Sequence, residues 1–214
     1  MNSGKILFII SSPSGGGKTT LTRKLIERVP GINHSIAYTT RKPRQDEKDG
    51  LDYHFISSRR FEDMVNRGEM LEWAEIYGHR YGTCKNTVQK LQTLGNDVIL
   101  TIDTQGAAQL RSSGLNAVFI FLLPPSVETL AKRLHKRDRD TEEMIRLRLA
   151  FSRHEFRQIH HYDYIVINDS LEQALEELAA IITAERCRKD RVFSRIEKQW
   201  REIIEEDRTT SNQS

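Results

Sequence analysis

The segment Ile6–Thr20 constrains this chain more than any other. Ile6–Ile10 is an unbroken run of β-prone apolar residues, which predicts a strand buried on both faces of a parallel sheet. Ser14-Gly-Gly-Gly17 then forces a turn, and Lys18–Arg28 predicts a helix with Leu21, Leu25 and Ile26 on one side and Pro30-Gly31 ending it. Strand, glycine-rich turn and helix, in that order, open many nucleotide-binding α/β folds. The string Ser12-Pro-Ser-Gly-Gly-Gly-Lys18-Thr19-Thr20 lies one residue from the phosphate-loop pattern GxxxxGK[ST], with Ser12 where the first glycine stands. Glycines let successive backbone N–H groups curl inward onto phosphate oxygens, and the helix that follows presents its positive end. Lys18 can reach the β- and γ-phosphates, and the Thr19 hydroxyl can ligate Mg²⁺. Ser14, Gly15, Gly16, Gly17, Lys18, Thr19 and Thr20 are therefore the candidate ATP-binding residues, with Thr19 the candidate metal ligand. An incidental glycine turn carrying a stray lysine would need neither the strand before it nor the helix after it. The loop specifies use of a nucleoside triphosphate but names no acceptor.

The rest of the 214-residue chain is consistent with a globular α/β protein, 37% hydrophobic and 29% charged. Asp97–Asp103, Ala117–Leu123 and Tyr164–Asn168 predict three further core strands. Asn86–Leu94 and Leu171–Arg186 predict helices, and further helices run from Ser126, an N-cap without a full capping box, to about His160. Residues 34–84 have another texture, with short β-like pieces, many aromatics, a loop rich in Arg, Lys, Asp and Gly, and a helix near Arg60–Arg67. This reads as a small inserted mixed lobe. The apolar runs are too short to span a bilayer and no signal peptide is discernible, so the expected location is cytoplasmic. Cys84 and Cys187 fit no disulfide or zinc pattern, and a net charge of +3 does not call for nucleic acid. His154, His160 and His161 converge with no carboxylate or thiol and read as helix-end residues.

After the phosphate loop come, in order, Thr39-Thr-Arg-Lys-Pro-Arg44, Gly50-Leu-Asp-Tyr-His-Phe55, Leu71-Glu-Trp-Ala-Glu75, Tyr81-Gly-Thr83 and Ile102-Asp-Thr-Gln-Gly106. Phe119–Ser126 and Tyr162–Asp169 extend the series. Together these strings closely resemble the guanylate kinases, over about residues 5–188. The resemblance implies an α/β fold with a P-loop NTPase core and a parallel sheet, a GMP-binding lobe and a helical lid. It implies ATP-dependent phosphorylation of GMP or dGMP with Mg²⁺. In this chain the core would be about 1–33 and 85–188, the lobe about 34–84 and the lid about 133–150. An amphipathic helix at 189–207 would serve packing on the parent domain or a homo-oligomer, and 208–214 would be disordered.

By the same resemblance, Arg41, Arg44, Tyr53 and Tyr81 would hold the GMP phosphate. Glu72 and Asp103 would read the guanine N1–H and 2-amino group, and Thr83 would donate to O6. Arg133, Arg137 and Arg148 would be lid arginines acting with Lys18 and Arg41 on the moving phosphoryl group. No general base is required, because the acceptor is already an anionic oxygen. Taken singly, each residue has a plainer reading. Glu72 could be a partly exposed strand residue, Arg41 and Arg44 a solvated loop, Tyr53 and Tyr81 lobe packing, and the basic run Arg133–Arg148 a wet helix face. Their joint occurrence with the phosphate loop favours function. It also disfavours two rivals, a non-catalytic guanylate-kinase-like module that binds phosphorylated partners and a kinase for another acceptor. Two positions depart from the family. Ala37 stands where a serine hydroxyl usually helps to contact guanine, a loss of about 1 kcal/mol. Thr101 stands where an acid is frequent.

Overall fold

The computed structural model describes residues 4–136 and 142–193, together with Ile196 and Trp200. Five parallel strands form the core sheet. Leu7–Ser11 (β1) leads through the glycine loop into Lys18–Arg28 (α1), and Ile32–His34 (β2) follows at the sheet edge. The lobe contains Tyr38–Thr39 (β3), His54–Phe55 (β4), Ser58–Asn66 (α2), Met70–Ile76 (β5) and His79–Cys84 (β6). The chain then returns to the core through Lys85–Thr93 (α3), Asp97–Thr101 (β7), Thr104–Ser112 (α4) and Val118–Leu123 (β8). Val127–Lys136 (α5), Glu142–Phe156 (α6), Tyr164–Ile167 (β9) and Leu171–Arg186 (α7) complete the described elements. The core order is β2-β7-β1-β8-β9 and the lobe order β4-β3-β6-β5.

The unbroken apolar run of β1 is explained by what covers it. Ile6, Phe8 and Ile10 pack with Leu21 and Leu25 of α1 and with Leu175, Leu178 and Ile182 of α7. Leu7 and Ile9 face the other way, onto Val88 of α3 and Ala107 and Leu110 of α4. Side chains alternate between faces along a strand, so a strand covered on both faces must be apolar at every position. Asp97, 6% exposed, ties the sheet together at its far end. One carboxylate oxygen accepts from the Ile6 N–H at 2.8 Å and the other from Arg186 Nε at 2.7 Å.

The sequence reading needs correction at two places. It counted four core strands, whereas β2 makes a fifth, paired with β7 at Ile32↔Asp97 and His34↔Ile99, so the core extends through His34. With Asn33 and His34 in three residues, β2 carries too little apolar signal to read as a strand. The strand read as Asp97–Asp103 ends at Thr101. Asp103 is instead the N-cap of α4, accepting from the Gly106 N–H at 2.9 Å, and α4 itself was not foreseen. The C-terminal helix and tail beyond Phe193 lie outside the described residues, save Ile196 and Trp200.

Candidate functional site

At the C-terminal end of β1 the chain turns through Gly15 and Gly17, at φ +90° and +96°. Gly17 is required twice over. Its backbone is left-handed, and any Cβ there would overlap the Asn168 side-chain amide. Asn168, buried at the end of β9, donates from Nδ2 to the Gly16 carbonyl at 2.8 Å, and its own carbonyl accepts from Arg133 Nη2 at 2.9 Å. Lys18 folds back to donate to the Ser12 carbonyl and, at 3.0 Å, to Ser12 Oγ. Ser12, the departure from the glycine pattern, is 1% exposed and thus forms part of the lysine's seat. Gly15, Gly17, Thr20, Arg133, Asn168, Asp169 and Leu171 line an open cleft of about 340 Å³ beside this loop. Arg148, on α6, reaches Ser14 Oγ at 3.4 Å. Thr19 and Thr20 are exposed in the first turn of α1. Arg137 lies outside the described residues.

The second half of the site is assembled from distant segments. Arg41, just after β3, makes a bidentate pair with Glu47 at 2.8 Å for both bonds, donates from Nε to Tyr81 OH at 3.2 Å, and lies over the Tyr53 ring at 5.4 Å. Tyr53 and Tyr81 meet edge to face at 5.9 Å. Arg44 is the more exposed of the two arginines. Its N–H donates to Glu47 at 2.8 Å and its guanidinium lies 3.7 Å from the same carboxylate. Burial alone would raise the Glu47 carboxyl, but the Arg41 bonds and the Arg44 N–H outweigh it and hold the group below its ordinary value. Glu47 therefore presents to Arg41 and Arg44 the planar anion for which a guanidinium fork is suited. The sequence reading missed it, because within Gln45–Asp49 it looks like one more solvated charge.

Glu72 and Asp103 come together at the start of α4. Glu72 is 4% exposed, and burial pushes its carboxyl up to about 7 even though Thr83 Oγ1 donates to it at 2.7 Å. Its Oε2 lies against the Gly106 backbone so closely that any Cβ at Gly106 would overlap it, and Asp103 Oδ1 is within 3.3 Å of the same point. Asp103 is also raised by burial, against the pull of the Gly106 N–H and of Lys18, and its Oδ2 is buried with no hydrogen-bond partner. Gln109 of α4 fixes this approach by clasping the Trp73 backbone at both N–H and carbonyl, 3.2 and 2.6 Å away, which docks β5 on the core. The Thr83 hydroxyl has one proton, and it is given to Glu72.

Both departures from the family pattern acquire a local setting. Tyr38, next to Ala37, packs into the lobe core with Phe61, Met64, Met70 and Cys84, and its ring lies 4.6 Å from that of His54. It thus supplies packing in the lobe. Thr101 bonds His34 Nε2 at 2.9 Å across the β2–β7 pair. Burial lowers His34 to about 4, so a neutral imidazole faces a neutral hydroxyl.

Glu155, on α6, is a further group that the sequence reading passed over. It is 3% exposed, and burial raises it to about 7 against the opposing field of Lys18, with Asp103 adding to the rise. Among the described residues no group of three or more His, Cys, Asp or Glu side chains is placed to hold a metal, and no helix is long and apolar enough to cross a membrane.

A glycine phosphate loop closing β1, joined across a parallel sheet to a lobe bearing paired arginines and the buried carboxylate Glu72, defines a nucleotide-dependent phosphotransferase with a separate acceptor site. The comparisons with known proteins make this specific. The guanylate kinase family model matches residues 4–185. A guanylate kinase of Geobacter metallireducens is 45% identical over 91% of this chain and 96% of its own length. One from Syntrophotalea carbinolica is 47% identical over 91% of this chain and 92% of its own. The crystal structure of guanylate kinase from Anaplasma phagocytophilum superposes with a TM-score of 0.73 at 30% identity, covering 87% of this chain and 89% of that one. The chain belongs to the guanylate kinase family.

Proposed function

We propose that the chain transfers the γ-phosphoryl group of ATP to GMP or dGMP, yielding ADP and the nucleoside diphosphate. The observation that carries the choice of acceptor is the pairing of buried Glu72 with half-buried Asp103, whose Oδ2 is buried and lacks a protein partner. Guanine offers N1–H and a 2-amino group to such acceptors, and adenine offers neither. A base that left these groups unpaired would forfeit the hydrogen bonds that offset their desolvation.

In this reading the backbone of Ser14–Thr20 cradles the ATP phosphates and Lys18 leaves Ser12 to meet the β- and γ-oxygens. Arg133 and Arg148 reach them from α5 and α6, as Arg137 would by its place in the sequence. On the other side Arg41, Arg44, Tyr53 and Tyr81 receive the acceptor phosphate in the anion seat that Glu47 organises. Positioning and fixed positive charge accelerate the in-line displacement, and closure of the lid, about 133–150, excludes the water that would otherwise accept the phosphoryl group. The Thr19 hydroxyl, exposed in the first turn of α1 beside the phosphate loop, suits a hard divalent cation and would hold Mg²⁺. When bound, Mg²⁺ neutralises charge on the β- and γ-phosphate oxygens. Composition supports a cytoplasmic location.

The test is an ADP-release assay with ATP and each of GMP, dGMP, AMP, CMP and UMP. GMP and dGMP turn over and the others do so poorly. Turnover of AMP comparable to that of GMP would overturn the base-reading roles of Glu72 and Asp103. Binding of a phosphopeptide without turnover of any monophosphate would make the chain a recognition module.

A further inference from the structure

Tyr77 stands in the two-residue turn between β5 and β6, followed by Gly78, with φ +51° and +74°. Such a turn takes Asn or Gly at its first position without strain, whereas a bulky side chain there is disfavoured. Tyr77 is the one non-glycine residue with positive φ among the described residues. Its ring is not left in solvent. It meets Phe151 edge to face at 5.8 Å, and the Arg148 guanidinium lies over it, 5.5 Å from the centroid. Arg148 and Phe151 are three residues apart on α6, so they share one helix face, and the tip of the acceptor lobe rests on that face. Arg148 in turn reaches Ser14 of the phosphate loop at 3.4 Å and is only 9% exposed.

We propose that Tyr77 is a positioning residue that acts through Arg148: its ring, supplied by the acceptor lobe, seats the guanidinium beside the phosphate loop on the donor side. The inference rests on the reading of Arg148 as a clamp on the ATP phosphates. An arginine on a helix has several rotamers, and most of them lead away from Ser14. The aromatic face and Phe151 favour the one that leads toward it, so the cation is in place before the transferring group carries its charge. The position suits the task, because a hairpin tip can span from the acceptor lobe to α6 without disturbing the strand pairing that holds Glu72.

The experiment compares Tyr77→Phe, Tyr77→Asn, Arg148→Ala and the Tyr77→Asn/Arg148→Ala double variant in the full chain, with rates normalised to the folded fraction. Asn keeps the left-handed turn but removes the ring, and Phe keeps the ring. Tyr77→Asn is expected to lower kcat by about tenfold, with KM for GMP within about twofold of wild type. Tyr77→Phe stays within about twofold of wild type, and Tyr77→Asn adds less than about twofold in the Arg148→Ala background. A Tyr77→Asn enzyme with wild-type kcat overturns the proposal, as does an equal loss in the Arg148→Ala background, or a Tyr77→Phe enzyme as slow as Tyr77→Asn. If Arg148→Ala itself leaves kcat intact, the clamp reading fails and this inference with it. A slow Arg148→Ala enzyme beside an unimpaired Tyr77→Asn enzyme removes the inference alone.

Discussion

The glycine loop takes its backbone from consecutive residues, Ser12–Thr20, whereas the proposed acceptor site draws Arg41 from just after β3, Glu47 and Tyr53 from the following loop, Glu72 from β5, Tyr81 and Thr83 from β6 and Asp103 from the start of α4. The donor loop is made mainly of backbone N–H groups held in shape by glycines and by one buried amide, Asn168. The acceptor site is made of side chains whose charges and protons depend on one another. Damage to the first should therefore act on the chemical step and on ATP. Damage to the second should act on GMP selectivity and on its pH dependence.

The largest effect should come from Lys18→Ala. A cation that meets the transferring group is worth at least about 100-fold in kcat, while the dissociation constant for GMP, measured by calorimetry, stays within about threefold of wild type. Loss of GMP binding in that variant would break the separation between the two sites. Next comes Gly106→Ala. The added methyl would occupy the place of the Glu72 carboxylate, so KM for GMP rises by about tenfold or more, at a stability cost of about 1–3 kcal/mol, while KM for ATP hardly moves. An unchanged KM for GMP would remove Glu72 from the acceptor site.

Acidity gives a graded test of the same region. With its carboxyl near 7, Glu72 is mostly neutral at pH 6 and mostly ionised at pH 8. Guanine needs the ionised acceptor, so KM for GMP falls by roughly tenfold across that interval, and Glu72→Gln flattens the dependence while raising KM throughout. The sign for stability of the free protein is the reverse. The folded state keeps a proton that the unfolded chain releases above 4.5, so this contribution is full below 4.5 and is lost as pH rises through 7. The smallest effect belongs to a position outside both sites. Thr101→Val leaves half-buried His34 without its partner, costing about 1 kcal/mol in thermal or denaturant unfolding, with kcat within about twofold of wild type. In both proteins stability falls as pH drops from 6.5 toward 4, because the unfolded chain takes up the proton that the buried imidazole refuses. A large loss of kcat in Thr101→Val would place β7 in the catalytic machinery.

The strand, glycine turn and helix at the start of the chain were legible in the sequence, because their signals are local and their punctuation is glycine. Helix α1 falls at Lys18–Arg28 and α7 at Leu171–Arg186, where the apolar spacing and the terminal signals placed them. The proposed acceptor site was legible only as a resemblance. Nothing in the local pattern distinguishes Glu72 from an exposed strand residue, and it is the docking of β5 on α4 through Gln109 that buries it. Glu47, Asn168, Glu155 and Tyr77 escaped notice for a related reason. Each bears on residues far away in the chain or, as with Glu47, lies in a charged loop whose fold the sequence does not show. Strand β2 was missed because three residues, two of them polar, carry too weak a period to be read.

The sequence by itself determined the class of fold, the glycine loop and the strand and helix that flank it, since an apolar run, left-handed glycines and a helical period act over a few residues. Only the tertiary structure decided which carboxylates lose their water and keep a proton near neutrality. It alone decided that the Thr83 hydroxyl is given to Glu72, and that the tip of the acceptor lobe lies against an arginine of the donor side. Desolvation and hydrogen-bond pairing are set by what arrives from elsewhere in the chain, and that information exists only once the chain has folded.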